Sequence, residues 1–303
     1  MEKENGSYKR APSRFRNVIE QGGRFPPETD RYHLYVSYAC PWASRTLIMR
    51  KLKGLEFIGV TVVSPRMGPD GWPFAPVDDY PGAEPDPLYN SRLVKDLYLR
   101  ADPGYVGKYT VPVLWDKKQH TIVNNESADI TRMFNYAFND GLPAHLAALD
   151  FYPPELRGEI DALEAWMYDD INNGVYKVGF AATFSAYRDA LLSLFDALDR
   201  IENMLSGKVY LVGDRLTEAD IRLYVTMVRF DVAYVGRFNC NIRTVRGGYP
   251  NIHLWLRRLY WKHDAFQSTT DFQHIKTGYY SLKSMRTESP FVPIGPVPHI
   301  EPL

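Results

Sequence analysis

One thiol stands where sulfur chemistry is easiest to arrange. In Tyr38-Ala39-Cys40-Pro41-Trp42-Ala43, Cys40 follows the strand-like run Tyr32 to Ser37 and precedes the helix-like run Ser44 to Lys53. This order predicts that Cys40 opens a helix with Pro41 at the first helical position, where a missing N–H costs nothing. Unpaired N–H groups and the helix dipole favour an anion there, so the Cys40 thiol is expected to ionise more readily than a free one. A dithiol oxidoreductase would carry a resolving Cys three residues on. That position is Ala43. Any disulfide formed at Cys40 must then be released by an external thiol.

Two further places carry chemical potential. Val111-Pro112 sits in the strand-like run Thr110 to Trp115, and a proline there demands an edge, a bulge or a cis bond. Asn125-Glu126-Ser127 leads into a helix-like run, Ala128 to Tyr136. A helix start suits a bound carboxylate, held by a Ser hydroxyl and backbone N–H groups, although Ser127 as a plain cap is the blander reading. Cys240, the only other cysteine, reads as incidental, and the scattered histidines show no metal-ligand spacing. Asp161 with Glu164 and Arg257 with Arg258 read as solvated helix faces.

The elements that position these residues read in order. Tyr32–Ser37, the Cys40 helix and Phe57–Val63 form a βαβ unit. A loop dense in Pro, Gly and Asp runs from Ser64 to Asp86, with a possible helix from Leu88 to Arg100. A hairpin turning at Asp116-Lys117-Lys118-Gln119 and the Ala128 helix follow, giving the thioredoxin-like order. Residues 142–154 resemble a linker, and helical patterns then run at 155–173, 186–205, 217–230 and 250–263. Thr217 and Asp220 make a capping-box pattern, read as structural. The expected organisation is an irregular arm over 1–30, a thioredoxin-like domain over 31–145, an all-helical domain over 151–285 and a tail over 286–303.

Composition excludes several classes. With 36 basic and 36 acidic residues, no electrostatic footprint for nucleic acid or an anionic membrane is visible. The polar start does not read as a secretory signal and no apolar run reaches a membrane span; with only two cysteines, far apart, a reducing cytoplasmic setting is the expectation. Two cysteines make neither a disulfide scaffold nor a Cys-based metal site, so no metal is expected.

Taken together, Tyr38–Ala43, the insertion bearing Gly71-Trp72, Thr110–Asp116, Asn125-Glu126-Ser127 and Asn172-Asn173-Gly174-Val175-Tyr176 resemble the glutathionyl-hydroquinone reductases, the xi class of glutathione transferases. The match runs in order over roughly residues 30–280. The resemblance implies an α/β plus all-α architecture: a thioredoxin-like glutathione-binding domain followed by an all-helical glutathione-transferase domain. It implies glutathione as co-substrate, a homodimer, and reduction of glutathionyl-hydroquinones with release of glutathione disulfide. Cys40 would be the nucleophile. Trp42, Trp72, Val111, Pro112, Glu126 and Ser127 would hold glutathione. Tyr176, Tyr234 and Tyr279 would surround the aromatic substrate, with Tyr224 a weaker candidate at core-like spacing. An omega-like thioltransferase or dehydroascorbate reductase, and a non-catalytic ligand carrier on the same scaffold, are the competing functions.

Overall fold

The computed structural model describes residues 2–4, 6–282 and 291–303. They fall into two compact units. One comprises Ser13–Asp150 with residues 269–282; the other comprises Phe151–Ser268 with the N-terminal residues up to Pro12 and the C-terminal segment 291–303.

The first unit is built on a four-stranded sheet. Counting the short N-terminal strands β1 (Glu2–Glu4) and β2 (Ser7–Lys9), its strands are β3 (Tyr32–Val36), β4 (Gly59–Val62), β5 (Val113–Asp116) and β6 (Thr121–Asn124). Their spatial order is β4-β3-β5-β6; β3 and β4 run parallel, while β5 is antiparallel to both β3 and β6. Every residue of β3 is buried, as a central strand covered on both faces requires. Helix α1 (Pro41–Leu52) connects β3 to β4, α2 (Val94–Ala101) precedes β5, and α3 (Ser127–Tyr136) follows β6 and packs on α1. Arg50 and Lys51 in the last turn of α1 complement its dipole, and Gly54 takes the left-handed conformation that ends it (φ +63°).

The Pro- and Gly-rich insertion is an anchored structure rather than a loose loop. Asp86 accepts the Tyr35 hydroxyl (2.8 Å) and the Leu88 and Ser91 amides, and Ser64 and Arg66 both engage Asp78. The helix expected over Leu88–Arg100 begins only at Val94, because Asp86 ties residues 86–91 into a turn. The helix Phe272–Tyr280, absent from the expected patterns, returns to this unit and holds the insertion: Tyr80 bonds Thr277 (2.8 Å) and His274 bonds the Pro81 carbonyl (2.7 Å).

Among its described residues the second unit is helical apart from the β1–β2 pair. Its longer helices are Arg157–Met167, Phe184–Met204, Glu218–Arg229 and Pro250–Lys262. Two π-helical turns, Tyr168–Asn172 and Phe230–Tyr234, interrupt the helical path. Thr217 starts its helix as the pattern predicts. Asp220 reaches back to the Thr217 amide (3.1 Å) and also accepts the Leu211 amide and the Trp255 indole N–H.

Several expectations change in detail. The arm over 1–30 is not one irregular segment: Glu2–Glu4 and Ser7–Lys9 pair as antiparallel strands in the helical unit, and Ser13 onward joins the sheet unit. The presumed linker contains a short helix, Ala144–Ala147, and the Lys53 ammonium donates to the carbonyls of Leu146 and Leu149. The unit boundary falls inside it, at Asp150. Glu164 is buried and pairs with Arg222 at 2.8 Å, so it is not part of a solvated face. Arg257 holds the C-terminal segment by donating to the Glu301 carbonyl. The start of the tail, 286–290, and the boundary at 285 lie outside the described residues.

Candidate active site

Cys40 is the N-cap of α1, with extended backbone (φ −82°, ψ 117°) and Pro41 as the first helical residue. Its amide donates to the Ser37 carbonyl, and its carbonyl accepts the Ser44 amide. Both bonds fix where the side chain leaves the chain. The residue keeps 9% of its surface, so the thiol sits at the edge of the core. The Cys40 Sγ lies 3.4 Å from the Val111 carbonyl oxygen, and Val111 is joined to Pro112 by a cis peptide bond. The sequence predicted an edge, a bulge or a cis bond at Pro112, and the cis bond is the one present. Neither Cys40 nor Cys240 is in a disulfide, and burial pushes the Cys240 thiol well up.

Glu126 and Ser127 stand at the start of α3, immediately after β6. The plain cap is Glu126, not Ser127: its carboxylate accepts the Ala128 amide (3.2 Å), the Ser127 hydroxyl (3.4 Å) and the Ser13 hydroxyl (3.0 Å). Ser127 is thus the first residue inside the helix. Ser13 was missed in the sequence because nothing in the arm marks it as a neighbour of residue 126. A bridge of polar groups ties the two halves of the site together. The Asn125 side chain donates to the Tyr98 hydroxyl (3.0 Å), which donates to the Thr110 carbonyl (2.9 Å). Burial pushes the Tyr98 phenol up to about 12, so it remains a neutral donor across the working pH range.

The two tryptophans are placed differently. Trp42 is half-buried on α1 with the Arg45 guanidinium 4.5 Å over its ring. Trp72 is half-buried in the insertion, its carbonyl accepting the Val94 amide. Tyr279 is buried on the helix Phe272–Tyr280 in the same unit as Cys40. That helix approaches the Cys40 turn closely at Gly278, where a Cβ would lie 2.4 Å from the Ala39 Cβ. Nothing in the local sequence marks Gly278 as this contact.

Tyr176 and Tyr234 are brought together in the helical unit, with ring centres 6.2 Å apart. Each belongs to the path of a π-helical turn, Tyr234 closing one and Tyr176 lying four residues past the other. Such turns recur at functional sites because they displace side chains from the regular helical face. Tyr176 is half-buried and Tyr234 fully buried. Tyr224 is core: it is buried and its hydroxyl donates to the Phe266 carbonyl.

Two other features carry no comparable chemistry. The carboxylates of Asp161, Glu164 and Glu218 gather within 4.8 Å, but Arg222 already supplies their cation through Glu164 and Glu218. A cleft of about 530 Å³ in the helical unit is lined by Ser7, Asp169, Asp170, Lys177 and Asp189 with neighbouring residues, and none of the expected site residues lines it.

Comparison with known proteins gives the family. Residues 39–136 match the glutathione S-transferase N-terminal domain, and residues 185–258 match the glutathione S-transferase C-terminal domain. A glutathione-S-transferase Xi from Phanerochaete chrysosporium superposes with a TM-score of 0.96 at 61% identity, over 98% of this chain and 100% of that one.

The chain belongs to the xi class of the glutathione transferases.

Within this family, the glutathionyl-hydroquinone reductase of Escherichia coli is 50% identical over 96% of this chain and 89% of its own length. Its glutathione-bound structure matches with a TM-score of 0.89, at 49% identity over 95% of each chain. A glutathione S-transferase omega-like protein of Schizosaccharomyces pombe is 53% identical over 98% of this chain and 96% of its own length. As a xi-class member the chain is a glutathione-dependent enzyme, with the expected thioredoxin-like and helical domains. Among the described residues no helix is long and apolar enough to cross a membrane.

Proposed function

We propose that the chain reduces glutathionyl-hydroquinones through a mixed disulfide at Cys40. The observation that carries this reading is the pairing of Cys40, at the start of α1, with the cis-proline corner at Val111 and Pro112, while Ala43 occupies the position a resolving thiol would need.

The chemistry balances as follows. The Cys40 thiolate attacks the sulfur of the glutathionyl thioether. The S–S bond to glutathione forms, the sulfur–ring bond breaks, and the electron pair passes to the ring, which gains a proton at carbon. A second glutathione, as thiolate, attacks the glutathione sulfur of the mixed disulfide and regenerates Cys40. One glutathione thiol and the thioether sulfur end joined as glutathione disulfide, and the ring's C–S bond is reduced to C–H. An external thiol is obligatory because Cys40 has no partner cysteine three residues on.

Glu126 and Ser127 at the start of α3 bind the γ-glutamyl end of glutathione, where N–H groups and the dipole favour a carboxylate. The Val111 backbone pairs with the cysteinyl part in the manner of strand addition. Trp42 and Trp72 flank the tripeptide. Tyr176, Tyr234 and Tyr279 surround the ring, where a phenol hydrogen-bonds the ring oxygen as charge develops on it. The protein acts as a cytoplasmic homodimer.

Intact-mass measurement after adding a glutathionyl-hydroquinone without excess glutathione tests the reading. One bound glutathione on the wild type, absent from Cys40→Ser, is expected; an unmodified wild type with hydroquinone still released overturns it. The omega-like relative favours a second reading, a thioltransferase or dehydroascorbate reductase. Parallel assays with a glutathionyl-hydroquinone and with dehydroascorbate separate the two.

A further inference from the structure

The N-terminal hairpin delivers two side chains to the tyrosine pair of the helical unit. Tyr8 on β2 is buried, its ring centre 6.4 Å from that of Tyr176 and 5.5 Å from that of Phe180. Arg10, just past β2, lays its guanidinium carbon 5.1 Å from the centre of the Tyr176 ring and 5.7 Å from that of Tyr8. Its Nε donates to the Asn173 Oδ1 at 3.2 Å, and Asn173 is buried directly after the π-helical turn Tyr168–Asn172. Phe238 closes the group at 5.4 Å from Tyr176. The hairpin itself is pinned by the Gly6 carbonyl, which accepts the Ala182 amide at 2.8 Å.

We propose that Arg10 is a positioning residue for Tyr176, so that the N-terminal hairpin sets the tyrosine pair of the helical unit. The inference rests on the assignment of Tyr176 to the aromatic substrate. A guanidinium on the face of a ring is attracted by the ring's negative quadrupole. The planar fork, fixed at one corner by Asn173, also sets the angle at which the ring is held. A cation on the ring face draws electron density from the phenol oxygen and makes its O–H a stronger donor. That gain is largest when the accepting ring oxygen carries developing charge, which occurs as the C–S bond breaks.

The test uses full-length protein with two substrates, a glutathionyl-hydroquinone and a small glutathione mixed disulfide that has no ring. Arg10→Met keeps the stem and removes the cation. It is expected to lower kcat for the hydroquinone conjugate by about fivefold to thirtyfold, with KM for glutathione and turnover of the small disulfide unchanged. Arg10→Lys restores part of the loss, since the charge returns without the fork. In the Tyr176→Phe background Arg10→Met adds nothing further, the coupling expected of two groups acting as one. Equal losses on both substrates, or full additivity of the two changes, overturn the role of Arg10. If Tyr176→Phe alone leaves hydroquinone release intact, the underlying assignment of Tyr176 fails instead, and the two failures are told apart.

Discussion

Cys40 and Val111 face each other across the start of α1, the sulfur 3.4 Å from the carbonyl oxygen. Cys40 is held by the turn that follows β3, and Val111 by the cis peptide that precedes β5. Each is placed by a different neighbouring strand of one sheet, so the distance between them is a property of the sheet order.

Removing the sulfur nucleophile should remove turnover. Cys40→Ser is expected to lower glutathionyl-hydroquinone reduction on the order of a thousandfold or more while leaving the thermal transition close to wild type. Steady-state assay with a parallel melting curve is the check, and near-normal turnover in the mutant would remove the mechanism.

Ser127 tests the glutathione seat. Glu126 caps α3, so Ser127→Ala leaves the cap bond to Ala128 in place. Losing one hydrogen bond to a bound carboxylate is expected to raise KM for glutathione about tenfold, with kcat little changed. A KM identical to wild type would leave Ser127 with a purely structural role.

Gly278 is the point where the helix Phe272–Tyr280 meets the Cys40 turn. A Cβ there would lie 2.4 Å from the Ala39 Cβ and 3.3 Å from the Pro65 carbonyl oxygen, neither of which is the end of a flexible side chain. Gly278→Ala is expected to cost about 1–3 kcal/mol in denaturant unfolding and to slow turnover, because relief requires moving residue 39 or the helix. Unchanged stability and kcat would show that the contact adjusts without consequence.

Acid sensitivity should trace in part to His33. Burial, with Lys117 and Arg50 adding to it, pushes this imidazole down to about 4, and its Nε2 lies 2.8 Å from the Thr61 hydroxyl. The folded state therefore prefers the neutral ring. Its contribution is present above the unfolded pKa of about 6.5 and is lost as pH falls through 4, in total about 3 kcal/mol. Asp220, pushed up to about 6 by burial, acts in the opposite direction over part of this range. Comparing wild type with His33→Gln cancels that contribution. The variant should show the shallower loss of stability between pH 6.5 and 4 in urea titrations, and parallel slopes would count against the assignment.

Asp220 should be a stability residue, not a catalytic one. Its two oxygens accept the Leu211 and Thr217 amides, the Thr217 hydroxyl and the Trp255 indole N–H, all buried. Asp220→Ala leaves these donors without partners and is expected to cost about 3–5 kcal/mol. Calorimetry is the check, and a loss below about 1 kcal/mol would show that other groups take the donors over.

Local chemistry alone determined much of this protein. A proline after a cysteine between a strand run and a helix run specifies the start of α1, and Thr217 with Asp220 specifies the start of a helix, because both signals act within four residues. The thioredoxin-like order followed from alternating periods along one stretch of chain. What local signals could not decide was which distant segments share a surface. The Asn125–Tyr98–Thr110 bridge, Gly278 against Ala39, Ser13 on Glu126, and Arg10 over Tyr176 join residues far apart in sequence. The division of the N-terminal arm between two units and the return of the helix Phe272–Tyr280 belong to the same class. Propensity and capping are local energies, whereas these placements depend on which surfaces exclude water together, and only the folded chain settles that.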